Sequence, residues 1–352
     1  MGLFKPPEEL SAAVTLELLY YYALAHQDSF DVRWIKRKSI SEMLLAPLAE
    51  KLTKEHELDV CGGCYVKSLN FKGGADRVNS VTYFDKKLGK EVDIDDVDGV
   101  VVATGAKGLR SIISNSPSLA QKAPELSAAG SLGAIDVVSC RLWLDKYVST
   151  DTPVGVFSKF KALRGSGGTF FMLDQLQKDW EAELWGGDEE PKGSVLACDF
   201  YNATSIATMS DEDIVKTLTK DLLPEAVEAF RDANVLDFCV QRYASAVSHF
   251  SPGSYSKRPP LQTSIDNVVC AGDWVKMGDK EHGAKGLCQE RAYVSGIEAG
   301  NRLVDETLTF DLIKGKKHPV LPIRPDETQV LFGRALNLRV LGNGGFNLFG
   351  LR

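Results

Sequence analysis

Two short apolar runs constrain the fold of this 352-residue chain more than anything else in it. One is "DGVVVATG", Asp98 to Gly105. The other opens the stretch "VVCAGDWVKMGDKEHGAKGLCQERAYVSG", Val268 to Gly296. Neither run alternates apolar with polar residues, and each ends at a glycine. A strand buried on both faces reads this way, as in a parallel sheet, whereas a half-exposed strand alternates. Parallel strands cannot be joined by a hairpin, and nearly half of the chain lies between these two. The expectation is an α/β layer that the chain enters, leaves and re-enters.

The intervening texture supports this. Ser11 to Ala25 and Ser41 to His56 read as helices, with Pro47 either kinking the second or marking its true first turn. "CYVKSLNF", "RVNSVTYF" and "KEVDI" are short β-rich runs separated by turn residues, which predicts a three-stranded antiparallel meander. From about Ser131 the pattern is α+β. Strands are expected at 136–146, 154–160, 194–201 and 235–243. Ser210, with Asp213 three residues on, predicts a capped helix running to about Leu223. The domain reading is discontinuous: 56–115 with 262–305, 1–55 with 116–261, and a tail over 306–352.

Bulk properties exclude several classes. Hydrophobic residues make up 44% and charged residues 25%, the balance of a globular chain. The net charge of -7 argues against a broad nucleic-acid surface, and no nucleic-acid partner is expected. The seven scattered cysteines do not read as a disulfide framework. "CGGC", Cys61 to Cys64, has no second pair and reads as a turn rather than a zinc or redox site. His249 and His282 lack metal-ligand spacing, although His282 beside Glu281 could form an acid–base pair. No metal site is expected. No apolar run approaches the roughly 20 residues that span a bilayer. No signal or transit peptide is legible, and localisation cannot be read from the residues.

The polar residues worth attention cluster after Val268. Gly272 permits a tight turn and close approach of a ligand. Asp273 then falls at the carboxyl end of a strand, where open α/β sheets place their ligands and where a carboxylate can accept sugar hydroxyls. The next helix, expected from about Leu287 to Val304, carries Ala292, Ser295, Gly296, Ala299 and Gly300 on one face. A plain strand–turn–helix with a small packing face fits the same residues.

"VVCAGDWV…QERAYVSGIEAGNRL" resembles the C-terminal FAD motif of the flavin amine oxidase superfamily, and within it the phytoene and ζ-carotene desaturase branch. "PPEELSAAVTLELLYYY", "APLAEKL…DVCGGCYVKSLNF", "DGVVVATGAKGLRSII" and "VVSCRLWLDKYV" resemble further family segments in the family's order, together covering most of residues 6 to 305. The resemblance implies an α/β fold: an FAD-binding domain of the amine oxidase, glutathione-reductase-2 type, interleaved with an α+β substrate domain. It implies FAD as cofactor. Asp273 would bind the ribityl chain and Val66 the adenosine. Gly272, Trp274 and the helix start with Glu290 and Ala292 would lie along the flavin ring. Gly105 and Ala106 would sit at a strand end near the cofactor. The implied function is that of an FAD-dependent oxidoreductase moving a hydride from an apolar or amine small molecule to flavin. No catalytic residue is identified, and a plastid is suggested by the resemblance alone.

Three features depart from that pattern. Arg291 stands where the family has glycine. The loop 275–286 is long and rich in charge. The opening Gly-x-Gly-x-x-Gly segment is not found: "GSGGTF" at Gly165 and "GNGGFNLFG" at Gly342 lie in the wrong context. The chain is therefore expected to begin after the first FAD-binding segment. That leaves a second reading, a non-catalytic truncated family member acting as a binding or scaffold module. The basic, apolar segment 332–352 could dock on the body of the protein or on a partner, the plainer reading, or make peripheral contact with an anionic membrane surface.

Overall fold

The computed structural model describes residues 5–19, 35–158, 160–187, 190–278, 289–304, 316–321, 328–329, 331–333 and 335. Among them ten strands run in chain order: β1 (Cys64–Asn70), β2 (Ser80–Asp85), β3 (Lys90–Ile94), β4 (Val100–Val102), β5 (Ala134–Leu144), β6 (Val154–Phe157), β7 (Gly167–Met172), β8 (Val195–Tyr201), β9 (Val235–Ser248) and β10 (Val268–Cys270). They form a three-stranded sheet β1-β2-β3, a two-stranded sheet β10-β4 and a five-stranded sheet β6-β7-β8-β5-β9. The architecture is α/β, in two compact units.

The first unit comprises 35–62 and 135–247, with residues 5–6. Its five-stranded sheet has two chemically different faces. Val138, Cys140, Leu142 and Leu144 of β5, Phe170 and Met172 of β7, and Leu196, Cys198 and Phe200 of β8 are buried in one core. Ile206, Ile214, Leu218 and Leu222 cover them from the helical segments between β8 and β9. The period of two leaves Ser139, Arg141 and Trp143, with Thr169, Phe171, Ala197, Asp199 and Tyr201, on the other face. The helix at Asp211–Lys216 is capped as its residues require, with the Ser210 hydroxyl accepting from the Asp213 N–H at 3.1 Å. It continues as a π-helix over Thr217–Leu222, and Pro224 lies in the first turn of the next helix, Leu223–Ala226. The helix expected at 41–56 is a π-turn, Ser41–Leu45, leading into an α-helix, Ala46–His56, with Pro47 in its first turn. None of its residues is buried.

The second unit comprises the described residues of 7–19, 63–134 and 248–335. Residues 116–134 and 248–261 thus belong with the strand pair, whereas the sequence patterning grouped them with the other unit. The reason is local. Helices Pro117–Lys122 and Pro124–Gly130 each open on a proline and bury Leu119 and Leu126 beside Gly105–Ser114. Arg110 Nε donates to the Gly130 carbonyl at 2.7 Å, which fixes that packing. The meander forms as expected, with β1 antiparallel to β2 and β2 to β3.

β4 and β10 are parallel, in register Val268↔Val100, Val269↔Val101, Cys270↔Val102. Asn267, buried just before β10, pins the pair. Its side chain accepts from the Val78 N–H at 3.0 Å and donates to the carbonyls of Val78 and Asp98. The outer edge of β10 is covered by 261–263, through Cys270 N–H to Leu261 C=O at 2.9 Å. The outer edge of β4 is different. Alternate residues of a parallel strand bond to the same neighbour. Val100 donates to Asn267 and Val102 accepts from Ala271, so the N–H and C=O of Val101 face the other side. That edge pairs with no strand among the described residues, and Val101 is 43% exposed.

Candidate functional site

β4 and β10 both end in glycine turns, and their parallel pairing places those turns side by side. Gly105 (φ +65°) follows β4 and opens the helix Gly105–Ser114, in which Ala106 is buried. Gly272 (φ +120°) follows β10. That backbone conformation favours glycine, and a Cβ there would meet the Trp274 ring at 2.8 Å. The helix Gln289–Leu303 is joined to this turn by Ser295. Its hydroxyl accepts from the Gly272 N–H at 2.9 Å and lies 3.1 Å from the Gly272 carbonyl.

Asp273 sits in this turn between two buried arginines. Arg258 is 1% exposed, and its guanidinium donates to the carbonyls of Trp274 at 2.6 Å and Asp273 at 2.7 Å. The same guanidinium lies over the Phe250 ring at 4.5 Å. Arg291, also 1% exposed, donates to the Val275 carbonyl. The residue that replaces the expected glycine is therefore folded under the 272–275 turn. Burial pushes the Asp273 carboxyl above the usual carboxylate range, and the charges of Arg258 and Arg291 pull it back.

The other expected site residues are placed as follows. Trp274 is a core side chain, 1% exposed, its indole N–H on the Ala271 carbonyl at 3.1 Å. A ring packed in this way has little face to lay along a flavin. Glu290 and Ala292 are exposed in the first turn of their helix. Of the small residues on that helix, Ser295 and Ala299 are buried while Ala292, Gly296 and Gly300 are exposed, so less than half of the stripe is packed. Val66 is 39% exposed on β1, opposite Tyr83. The structure thus gathers Gly105, Ala106, Gly272 and Asp273 at one end of a strand pair, with Ser295 behind. Ser295, Arg258 and Arg291 are additions to the expected set. Ser295 was legible as a small helix residue and Arg291 as a departure from the family's glycine, but Arg258 carried no signal.

Cys61 is exposed and Cys64 opens β1, and neither is in a disulfide. No group of His, Cys, Asp or Glu that could hold a metal occurs among the described residues. His249 Nε2 lies 2.9 Å from the Glu9 carbonyl. His282, Glu281, most of the loop 275–286, Gly342 and nearly all of the segment 332–352 lie outside the described residues. No described helix is long and apolar enough to cross a membrane.

Fold and site together define an α/β protein whose polar groups converge at the carboxyl end of a parallel strand pair. The chain matches the flavin containing amine oxidoreductase family over residues 1–304, and it belongs to that family. It is similar to a carotenoid phi-ring synthase of Streptomyces griseus, 26% identical over 312 residues, which cover 86% of this chain and 54% of that protein. It is also similar to a carotenoid phi-ring synthase of Chlorobaculum tepidum, 26% identical over 231 residues, covering 64% of this chain and 32% of that protein. The chain spans about half the length of the first of these relatives and about a third of the second. Among solved structures, an oxidoreductase from Methanosarcina mazei aligns with a TM-score of 0.40 and 15% identity, over 68% of this chain and 49% of that one.

Proposed function

We propose that this chain is the flavin-side part of an FAD-dependent oxidoreductase acting on an apolar or amine small molecule. The observation that carries the reading is Asp273 in a left-handed glycine turn at the end of β10. Its carboxyl accepts from the N–H groups of its own turn, residues 273 and 274, and two such bonds leave acceptor capacity for ligand hydroxyls. The residues present at the β10 turn fit the ribityl side of FAD, while Trp274 does not serve the ring. Asp273 would hold the ribityl hydroxyls, and Gly272 would let the backbone approach. Arg258 and Arg291 orient the turn and hold the Asp273 charge in place. When bound, the flavin supplies the redox chemistry, taking up a hydride equivalent.

A second reading has its own observation. The β4 edge at Val101 is open among the described residues. No glycine-rich phosphate turn is among the described residues beside it, and a dinucleotide site draws much of its anion binding from such a turn. The alternative is a family member that serves as a binding or scaffold module. The visible spectrum of the purified chain separates the two. Stoichiometric flavin absorbance, reduced by Asp273→Ala, supports the flavoprotein reading. A chain that stays colourless after incubation with FAD overturns it.

A further inference from the structure

The face of the five-stranded sheet turned away from the core carries a second built feature. A cavity of about 900 Å³ lies on it, within the range of small-molecule sites. Trp143 of β5 and Phe171 of β7 line its floor, with Leu173, Leu176 and Trp180 around them. The walls are tied down. Trp143 donates its indole N–H to the Leu184 carbonyl at 2.8 Å. Gln177 donates to the carbonyls of Ile35 and Lys38, which fastens the segment before the Ser41–Leu45 turn to the rim. Lys38 places its ammonium 5.6 Å over the Trp180 ring.

Arg141 shares the floor. It lies two residues before Trp143 on β5, opposite Ala197 of β8, which in turn lies opposite Phe171 of β7. The Arg141 side chain makes no hydrogen bond or ion pair with any described residue. Two acids also line the cavity. Glu42 is engaged, accepting from the Ser39 N–H at 3.0 Å and hydroxyl at 2.9 Å. Glu183 belongs to the four-residue helix Glu181–Leu184 and is exposed. Arg141 is also exposed, but it projects from an interior strand of the sheet, and its planar guanidinium matches a carboxylate through two parallel hydrogen bonds.

We infer that this cavity binds an apolar molecule ending in a carboxylate, its body against Trp143, Phe171 and Trp180 and its carboxylate on Arg141. The inference deepens the proposed function by naming the substrate class, and it rests on that function in taking this unit as the part that holds the substrate. Binding is read without flavin, so the two can fail separately.

The test titrates the full chain with three rod-shaped polyene probes: diphenylhexatriene, its propionate and its trimethylammonium derivative. Probe emission and quenching of tryptophan report binding. The propionate should bind about tenfold or more tighter than the hydrocarbon, the scale of a charge-assisted pair. Arg141→Gln should erase that margin while leaving hydrocarbon binding unchanged. Arg141→Lys should keep part of it, and Trp143→Ala should weaken all three probes. Preference for the ammonium probe would assign the head group to Glu183 and overturn the proposal. So would an unchanged propionate affinity in a folded Arg141→Gln chain, or the absence of binding by any probe. Flavin absorbance of the same sample reads the cofactor independently.

Discussion

Asp199 stands on the open face of the sheet, directly opposite Thr169 on one side and Ser139 on the other. The Ser139 hydroxyl donates to it. Burial pushes its carboxyl above the usual range, and that outweighs the hydroxyl and the nearby Arg141 charge. A raised folded-state pKa means that the folded chain holds a proton that the unfolded chain has already lost. Stability contributed by this group is therefore lost as pH rises from the unfolded carboxylate value, about 3.9, through the folded one. Asp199→Asn removes the ionisation and keeps an acceptor for Ser139. The variant should melt higher than the parent at neutral pH, with the gain shrinking as pH falls toward the ordinary carboxylate range. Thermal melts at several pH values check this, and a gain independent of pH would contradict it. Such residues also mark the limit of reading a sequence. Asp199 looks like any strand-flanking acid, Arg258 looks like surface charge, and Arg291 is legible only as a replacement for the family's glycine. Each acquires its role only from what the fold packs around it.

At the level of elements, the legible parts were those with a periodic or chemical signature. The meander, the two valine-rich strands and the alternating strands β5 and β8 were read within a few residues. β7 was not, because glycines at 167 and 168 read as punctuation. In the sheet they serve packing. A Cβ at Gly168 would lie 3.0 Å from Phe157 and 3.2 Å from the Asp199 carbonyl, and Phe170 covers the cross-strand Gly155. The large rings take the volume that the glycines leave, and only the paired sheet reveals it. The helix at Asp211–Lys216 shows the opposite case. Its start was readable because capping is local: one hydroxyl satisfies one of the four N–H groups that a helix leaves unpaired. Ser210→Ala should cost about 1 kcal/mol, read as an earlier urea midpoint at unchanged slope. Ser210→Asp, which restores an acceptor, should recover most of it. An unchanged midpoint in Ser210→Ala would show that the Arg242–Asp211 pair at 2.6 Å and the Ile214 and Val215 packing alone hold this segment.

On the scale of the molecule, the cysteines report on each unit separately. Cys140 and Cys198 face one another across β5 and β8 in the core of the first unit. Cys270 ends β10 in the second, two residues before Gly272. Burial pushes the Cys140 and Cys270 thiols to about 12 and the Cys198 thiol well above its usual value, so none is nucleophilic while its unit is folded. Cys61 and Cys239 are exposed. Brief alkylation in rising urea, mapped by mass spectrometry, should label the exposed pair first. Cys140 and Cys198 should then appear together, since one core shields both, and their separation would contradict a single core there. FAD adds a direction to the experiment. A ligand that binds only the folded state raises stability by RT ln(1 + [L]/Kd), about 2.7 kcal/mol at a hundredfold excess over Kd. Because Asp273 lies in the unit of Cys270, saturating FAD should move the Cys270 midpoint to higher urea by more than those of Cys140 and Cys198. Asp273→Ala should abolish that excess. An equal shift at all three thiols would place the binding energy outside the β4–β10 turn, and no shift at any would leave the scaffold reading standing.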